Sequence, residues 1–108
     1  MVDLSTLRKL MSNDENMVQQ FLQIFKSQTP QQMEQLRKYI TNENWEYISL
    51  TAHAIKSQAK YLGLEEMVEH AFAIEKSAEN KEDMARISDR FGVLENKLNI
   101  VLGSEVFK

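Results

Sequence analysis

Only three glycines and one proline punctuate 108 residues, and between them apolar side chains return every three or four positions. Hairpin turns and bulged strands draw on glycine and proline, so the chain has little material for tight reversals. Leu, Met, Gln, Glu and Lys, all good helix formers, fill the remainder. The fold class that follows is all-α. With 43% hydrophobic residues, a chain of this length buries one core but not two ordinary ones, and residues 1–108 are expected to form a single domain.

The same composition excludes several functions. Without cysteine there is neither a disulfide nor a thiolate metal site, and thiol redox chemistry is ruled out. No apolar run approaches the roughly 20 residues that span a bilayer, and MVDLSTLRKL lacks the apolar centre of a signal peptide. The cytoplasm is the expected compartment, with no membrane contact. The 13 basic and 16 acidic side chains leave a net charge of −3, which offers no basic field to nucleic acid. A protein partner is expected instead. With no P-loop, nucleotide fingerprint or cluster of metal carboxylates, the chain is expected to hold no cofactor of its own, to bind no ATP and not to phosphorylate itself.

Helix signals divide the chain. A short helix is expected around Leu4 to Leu10. Ser12 to Glu15 fits a capping box, in which a serine side chain and a later glutamate satisfy each other's free backbone donors. Met17, Phe21, Ile24 and Phe25 then mark an apolar stripe. Thr29, Pro30 and Gln32 supply a second cap and a proline suited to a first helical position, so a new helix or a kink is expected there. Met33, Leu36 and Ile40 lead to Asn42 and Asn44, natural caps for the next helix. That helix carries Ile48, Ala52, Ile55, Ala59 and Leu62 on one face and stops near Gly63, the residue best suited to a left-handed terminus. Leu64, Met67, Val68, Ala71, Ile74 and Ala78 stripe the following helix. Ile87, Phe91, Leu94, Leu98 and Val101 stripe the last one. Short connections favour antiparallel neighbours: an up-and-down four-helix bundle with a short extra N-terminal helix.

One histidine is out of place for a core residue. At about 100° per residue, His53 falls about 140° from the centre of its helix's apolar stripe, so it should be exposed. Glu46, Ser49, Lys56, Ser57 and Lys60 share the outer side, with Lys56 and Lys60 stacked along the helix beside the imidazole. Glu75, by contrast, lies within about 50° of its own stripe's centre, where an unpaired carboxylate is costly. His53 and Glu75 both stand roughly 15 Å from the intervening helical hairpin's bend, hence at matching heights. A carboxylate on one ring nitrogen fixes the tautomer and leaves the other nitrogen as nucleophile or ligand. Ala54 and Ser57 are small and leave room for a partner beside it. Leu50 and Tyr61 flank the histidine side outside the core stripe, and the first helix offers Leu4, Leu7 and Leu10.

Ala52-His53-Ala54-Ile55-Lys56-Ser57-Gln58-Ala59, closing at Leu62-Gly63-Leu64, resembles the signature of histidine-containing phosphotransfer (HPt) domains. In that signature an alanine-histidine pair precedes an aliphatic residue, a lysine and small residues, with a glycine ten positions after the histidine, as Gly63 is here. The Asn44-Trp45 helix start, the phenylalanine-rich early helix with Pro30, and the Ile74-Glu75 pair extend the likeness over almost the whole chain. The resemblance implies an antiparallel four-helix bundle whose His53 accepts a phosphoryl group, through the ring nitrogen distal to the backbone, from the aspartate of a response-regulator receiver domain and passes it to another. It implies that Lys56 stabilises phosphoryl oxygens, with Lys60 as an auxiliary charge, and that Glu75 hydrogen-bonds the proximal ring nitrogen. Ser49, Leu50, Ala54, Ser57, Tyr61 and Leu7 would meet the partner. The implied partners are receiver domains, which bring Mg²⁺, and a hybrid sensor histidine kinase. One position departs from the pattern: where glycine commonly follows the lysine, this chain has Ser57, which bears on how closely a receiver approaches.

Three other readings compete. The bundle could dock a receiver or kinase without taking phosphate, a silent adaptor. It could bind metal through His53, His70 and glutamates, although His70 lies about 100° from its own stripe's centre and away from His53 and Glu75. It could be a module cut from a hybrid or chemotaxis-type kinase; a methionine leading at once into the first helix favours a free-standing protein. A monomer is expected, because no apolar segment is left over once the bundle faces are paired.

Overall fold

The computed structural model describes residues 2–108. Five helices are followed by a single 3₁₀ turn: α1 (Ser5–Leu10), α2 (Glu15–Thr41), α3 (Trp45–Tyr61), α4 (Glu65–Glu79), α5 (Met84–Leu102) and Glu105–Phe107. Among the described residues there is no strand.

Side-chain pairs fix how the long helices run. Thr29 reaches Gln58, Tyr39 stacks on Tyr47, and Phe21 meets Tyr61, so α2 and α3 are antiparallel. His53 and Lys56 pair with Glu75 across α3 and α4; Glu66 pairs with Lys97, and His70 meets Arg90, across α4 and α5. Arg37 pairs with Glu95, and the Lys26 ammonium donates to the Phe107 carbonyl, which brings α5 and the chain end back along α2. The four helices thus close into an up-and-down bundle. Its core takes Ile48, Ala52, Ile55, Ala59 and Leu62 from the α3 stripe, Met67, Ala71, Ile74 and Ala78 from α4, and Ile87, Phe91, Leu94, Leu98 and Val101 from α5. The α3 and α5 stripes match the expected ones; beside α4, Leu64 is buried as expected, but Val68 is only half-buried.

In α2 the structure departs from expectation in three respects. Asp14, not Ser12, is the N-cap, its carboxylate accepting from the Asn16 and Met17 amides at 3.0 and 3.3 Å. Ser12 and Asn13 both adopt left-handed backbone (φ 52° and 59°) to turn the chain out of α1, which takes the serine out of capping geometry. Glu15 reaches instead to Arg8, 2.7 Å away. An acidic cap also suits the positive end of the helix dipole. Secondly, the buried stripe is Val18, Leu22, Phe25, Met33 and Leu36, whereas Met17 and Ile24 are exposed and Phe21 and Ile40 half-buried. Thirdly, of the new helix or kink expected at Pro30, the new helix does not form; α2 continues through it. Thr29 caps nothing and is instead fully buried, its hydroxyl donating to Gln58 Oε1 at 2.9 Å.

The turn after α3 is clasped by the N-terminus. Gly63 has φ +67°, the left-handed conformation expected of it. The Asp3 amide donates to the Leu62 carbonyl at 2.9 Å, and a Cβ on Gly63 would stand 2.8 Å from the Asp3 Cβ. Leu7 of α1 is fully buried.

Candidate functional site

Position 53 is set by α3, whose start is capped by Asn44 accepting from the Tyr47 amide at 3.3 Å and whose end is fixed at Leu62 and Gly63. With one face buried, the outer side of α3 divides in two. Toward α4 stand His53, Lys56 and Lys60. Toward α2 the sequence offers Tyr47, Leu50, Ala54, Ser57 and Tyr61, spaced by threes and fours on one stripe.

Antiparallel packing of α3 and α4 sets a ladder. The His53 rung faces Glu75, with Nδ1 2.8 Å from Oε2; the Lys56 ammonium donates to Oε1 of the same carboxylate at 2.7 Å. The imidazole is 57% exposed, whereas the carboxylate is 8% and the lysine 16% exposed. Burial alone would push the Glu75 carboxyl up, but the hydrogen bonds from Lys56 and His53 and their charges outweigh it and hold the group below its ordinary value. Glu75 is therefore ionised near neutrality and can only accept. His53 Nδ1 carries the proton facing it, and the lone pair resides on Nε2.

The second rung was not legible from the sequence. Phe72 stands opposite Lys56, its ring centroid 5.1 Å from the Lys56 Nζ and 5.4 Å from the Lys76 Nζ, and is 46% exposed. Lys56, expected on the outer side beside the imidazole, is largely covered. It folds back between Glu75 and the Phe72 ring, because the buried carboxylate attracts it more than water does. Lys60 is exposed, and no carboxylate among the described residues pairs with it.

Of the residues expected to meet a partner, Leu50 is 57% exposed, Tyr61 is exposed, and Ser49, Ala54 and Ser57 are half-buried. Leu7 is a correction: it lies in the core and presents nothing to a partner. Leu4 is half-buried, and of these three leucines only Leu10 is exposed. The sequence reading also missed α2. Phe21 meets the Tyr61 ring edge-on at 5.8 Å, and Met17 and Ile24 lie exposed on the same helix, so both helices furnish apolar surface. No local signal separates them, because Met17, Phe21 and Ile24 share the spacing of Val18, Leu22 and Phe25.

His70 sits elsewhere, on the α4–α5 side. The Arg90 guanidinium, which can only donate, approaches its Nδ1 at 3.1 Å, so that nitrogen carries the lone pair. Among the described residues no three His, Asp or Glu side chains gather as metal ligands, and no helix is long and apolar enough to cross a membrane.

Fold and site together define a class: a helical bundle that carries an oriented histidine on its outer surface. The family model described as the Hpt domain matches residues 20–102, and the chain belongs to that family. The match begins inside α2, runs to the end of α5 and leaves out α1, the first turn of α2 and the terminal turn. Hpt domains are phosphotransfer carrier modules of two-component phosphorelays and work with kinases and response regulators. No curated protein and no solved structure matches the chain.

Proposed function

We propose that this protein relays a phosphoryl group between aspartates of receiver domains through a phosphohistidine at His53. The supporting observation is the 2.8 Å contact of His53 Nδ1 with the buried Glu75 carboxylate, on a ring that is otherwise exposed. In the transfer step the Nε2 lone pair attacks phosphorus of the aspartyl phosphate. The N–P bond forms as the P–O bond to the aspartate breaks, and that electron pair leaves on the aspartate carboxylate. The proton on Nδ1 stays where it is, and Glu75 offsets the positive charge that the ring acquires. Passing the group onward to a second aspartate reverses these steps.

Phosphoryl transfer depends mostly on positioning and charge stabilisation. This chain supplies the oriented nucleophile and two lysines, with Lys56 held at Glu75 and Lys60 unpaired. The receiver supplies the aspartate and its Mg²⁺. The upstream donor is a hybrid sensor histidine kinase, and this chain has no ATP-dependent activity of its own. The apolar stripe at Leu50 and Tyr61, continued by Met17 and Ile24 of α2, is where the receiver docks. Ser57, small and half-buried, keeps the helix surface low beside the histidine.

Incubation with a receiver phosphorylated on its aspartate, followed by intact-mass measurement, tests this directly. The parent protein gains one acid-labile phosphoryl group, and His53→Gln gains none while staying helical. Label on both proteins would overturn the assignment of His53. Receiver binding with no label on either would instead describe a silent adaptor.

A further inference from the structure

We propose that Phe72 is a positioning residue of the relay site: the face of its ring holds the Lys56 ammonium against Glu75, so that Glu75 has one oxygen left for His53. The role presupposes that His53 carries the phosphoryl group, but its structural part stands by itself.

The ladder between α3 and α4 places the residue. His53 faces Glu75, and three residues nearer the turn on each helix Lys56 faces Phe72. Its Nζ lies 5.1 Å from the ring centroid and 2.7 Å from Glu75 Oε1. A cation within about 6 Å of an aromatic face is attracted by the ring quadrupole. An ordinary surface lysine keeps its ammonium in water, and an exposed ion pair gains little from its charges. Lys56 is only 16% exposed, because the carboxylate lies on one side and the ring on another. The ring also excludes water, which strengthens the attraction between Lys56 and Glu75. Lys76, on the same ring at 5.4 Å, is drawn off by Glu79 at 3.2 Å, so Glu75 keeps Lys56 as its only lysine.

For His53 the consequence is geometric. Each oxygen of Glu75 has one partner, Lys56 on Oε1 and His53 on Oε2. With both taken, the carboxylate plane is fixed, and so is the direction of the ring and of its Nε2 lone pair. Were Lys56 free to swing into solvent, the carboxylate could turn and the imidazole would lose its alignment. Phe72 acts through Lys56 and Glu75, without touching the reacting atoms.

Two substitutions separate the ring from its volume. Phe72→Leu keeps an apolar side chain of similar size but removes the quadrupole; Phe72→Tyr keeps the aromatic face. Both are examined by NMR, following the Lys56 side-chain ammonium signal and the titration of the Glu75 carboxyl carbon, and by the rate of phosphoryl uptake from a phosphorylated receiver. In Phe72→Leu the ammonium signal should be lost to faster exchange, the Glu75 titration should move up toward the ordinary carboxylate range, and uptake should slow by about two- to fivefold, the factor that a cation–π contact of ordinary strength converts to. Phe72→Tyr should restore all three. Parent-like behaviour of Phe72→Leu, or equal impairment of the leucine and tyrosine variants, would overturn the proposal. If the parent protein takes up no phosphoryl group, the relay reading fails, while the Lys56 and Glu75 signals still decide whether Phe72 holds the lysine.

Discussion

Glu75 is the residue on which the site turns, and its energetics give a direct prediction. Its carboxyl is held below the ordinary glutamate value of about 4.3, although burial opposes this, because Lys56 and His53 both donate to it. A depressed folded-state value contributes stability that is fully present above the unfolded value and is lost as pH falls through the folded one. Urea unfolding followed from about pH 6 downward should therefore show part of its acid destabilisation beginning below about pH 4.3 and missing in Glu75→Gln. An unaltered acid limb in that variant would mean that the pairing contributes nothing in solution. The pairing of His53 with Glu75 was legible in the sequence because helical counting and equal distance from a bend determine it. The course of Lys56 was not. Periodicity tells which side of a helix a residue leaves from, but a long flexible side chain chooses its rotamer by what its neighbours offer, here a carboxylate and an aromatic face on another helix.

At the scale of the helices, the stripes of α3 and α5 could be read because each is an uninterrupted alternation of threes and fours; in α4 the same alternation runs through Leu64, Met67, Ala71, Ile74 and Ala78, and the extra Val68 is half-buried. In α2, Met17 and Ile24 compete with Val18 and Leu22 for the same period, and Pro30 imitates a helix start. Both ambiguities are settled by tertiary packing, which no local pattern contains. The cap at Asp14 is similar: three cap-forming residues, Ser12, Asn13 and Asp14, stand in a row, and the left-handed turn selects the last. Asp14→Ala should cost about 1 kcal/mol in denaturant unfolding, whereas Ser12→Ala should stay within about 0.5 kcal/mol; the reverse order would restore the capping box. At the other end of the hairpin, Gly63→Ala must strain a left-handed residue and push Asp3 away, at about 1–3 kcal/mol. Hydrogen exchange at the Asp3 amide, bonded to Leu62 at 2.9 Å, should accelerate with the substitution, and retained protection would show that the clasp absorbs the methyl group elsewhere.

Under the proposed function the two halves of α3's outer side have separate tasks, chemistry toward α4 and docking toward α2. Leu50 is 57% exposed, so Leu50→Glu should leave the melting temperature within about 2 °C of the parent, as expected for a surface change of under about 0.5 kcal/mol. It should weaken receiver binding by about fivefold or more, the loss of a contact worth more than about 1 kcal/mol at an interface, measured by titration calorimetry. Phosphorylation by a small donor such as phosphoramidate should proceed as in the parent, since that reagent needs no docking surface. Unchanged receiver affinity would move the docking face away from this stripe.

The central claim is that the Nε2 nitrogen of His53, made nucleophilic by Glu75 on the opposite nitrogen, carries the phosphoryl group. Nitrogen-15 NMR of the imidazoles, recorded after transfer from an aspartyl-phosphorylated receiver, tests it most directly. The predicted spectrum shows phosphorus coupled to Nε2 of His53, Nδ1 still bearing its proton, and His70 unmodified. Phosphorus on Nδ1 of His53, or on His70, would contradict it.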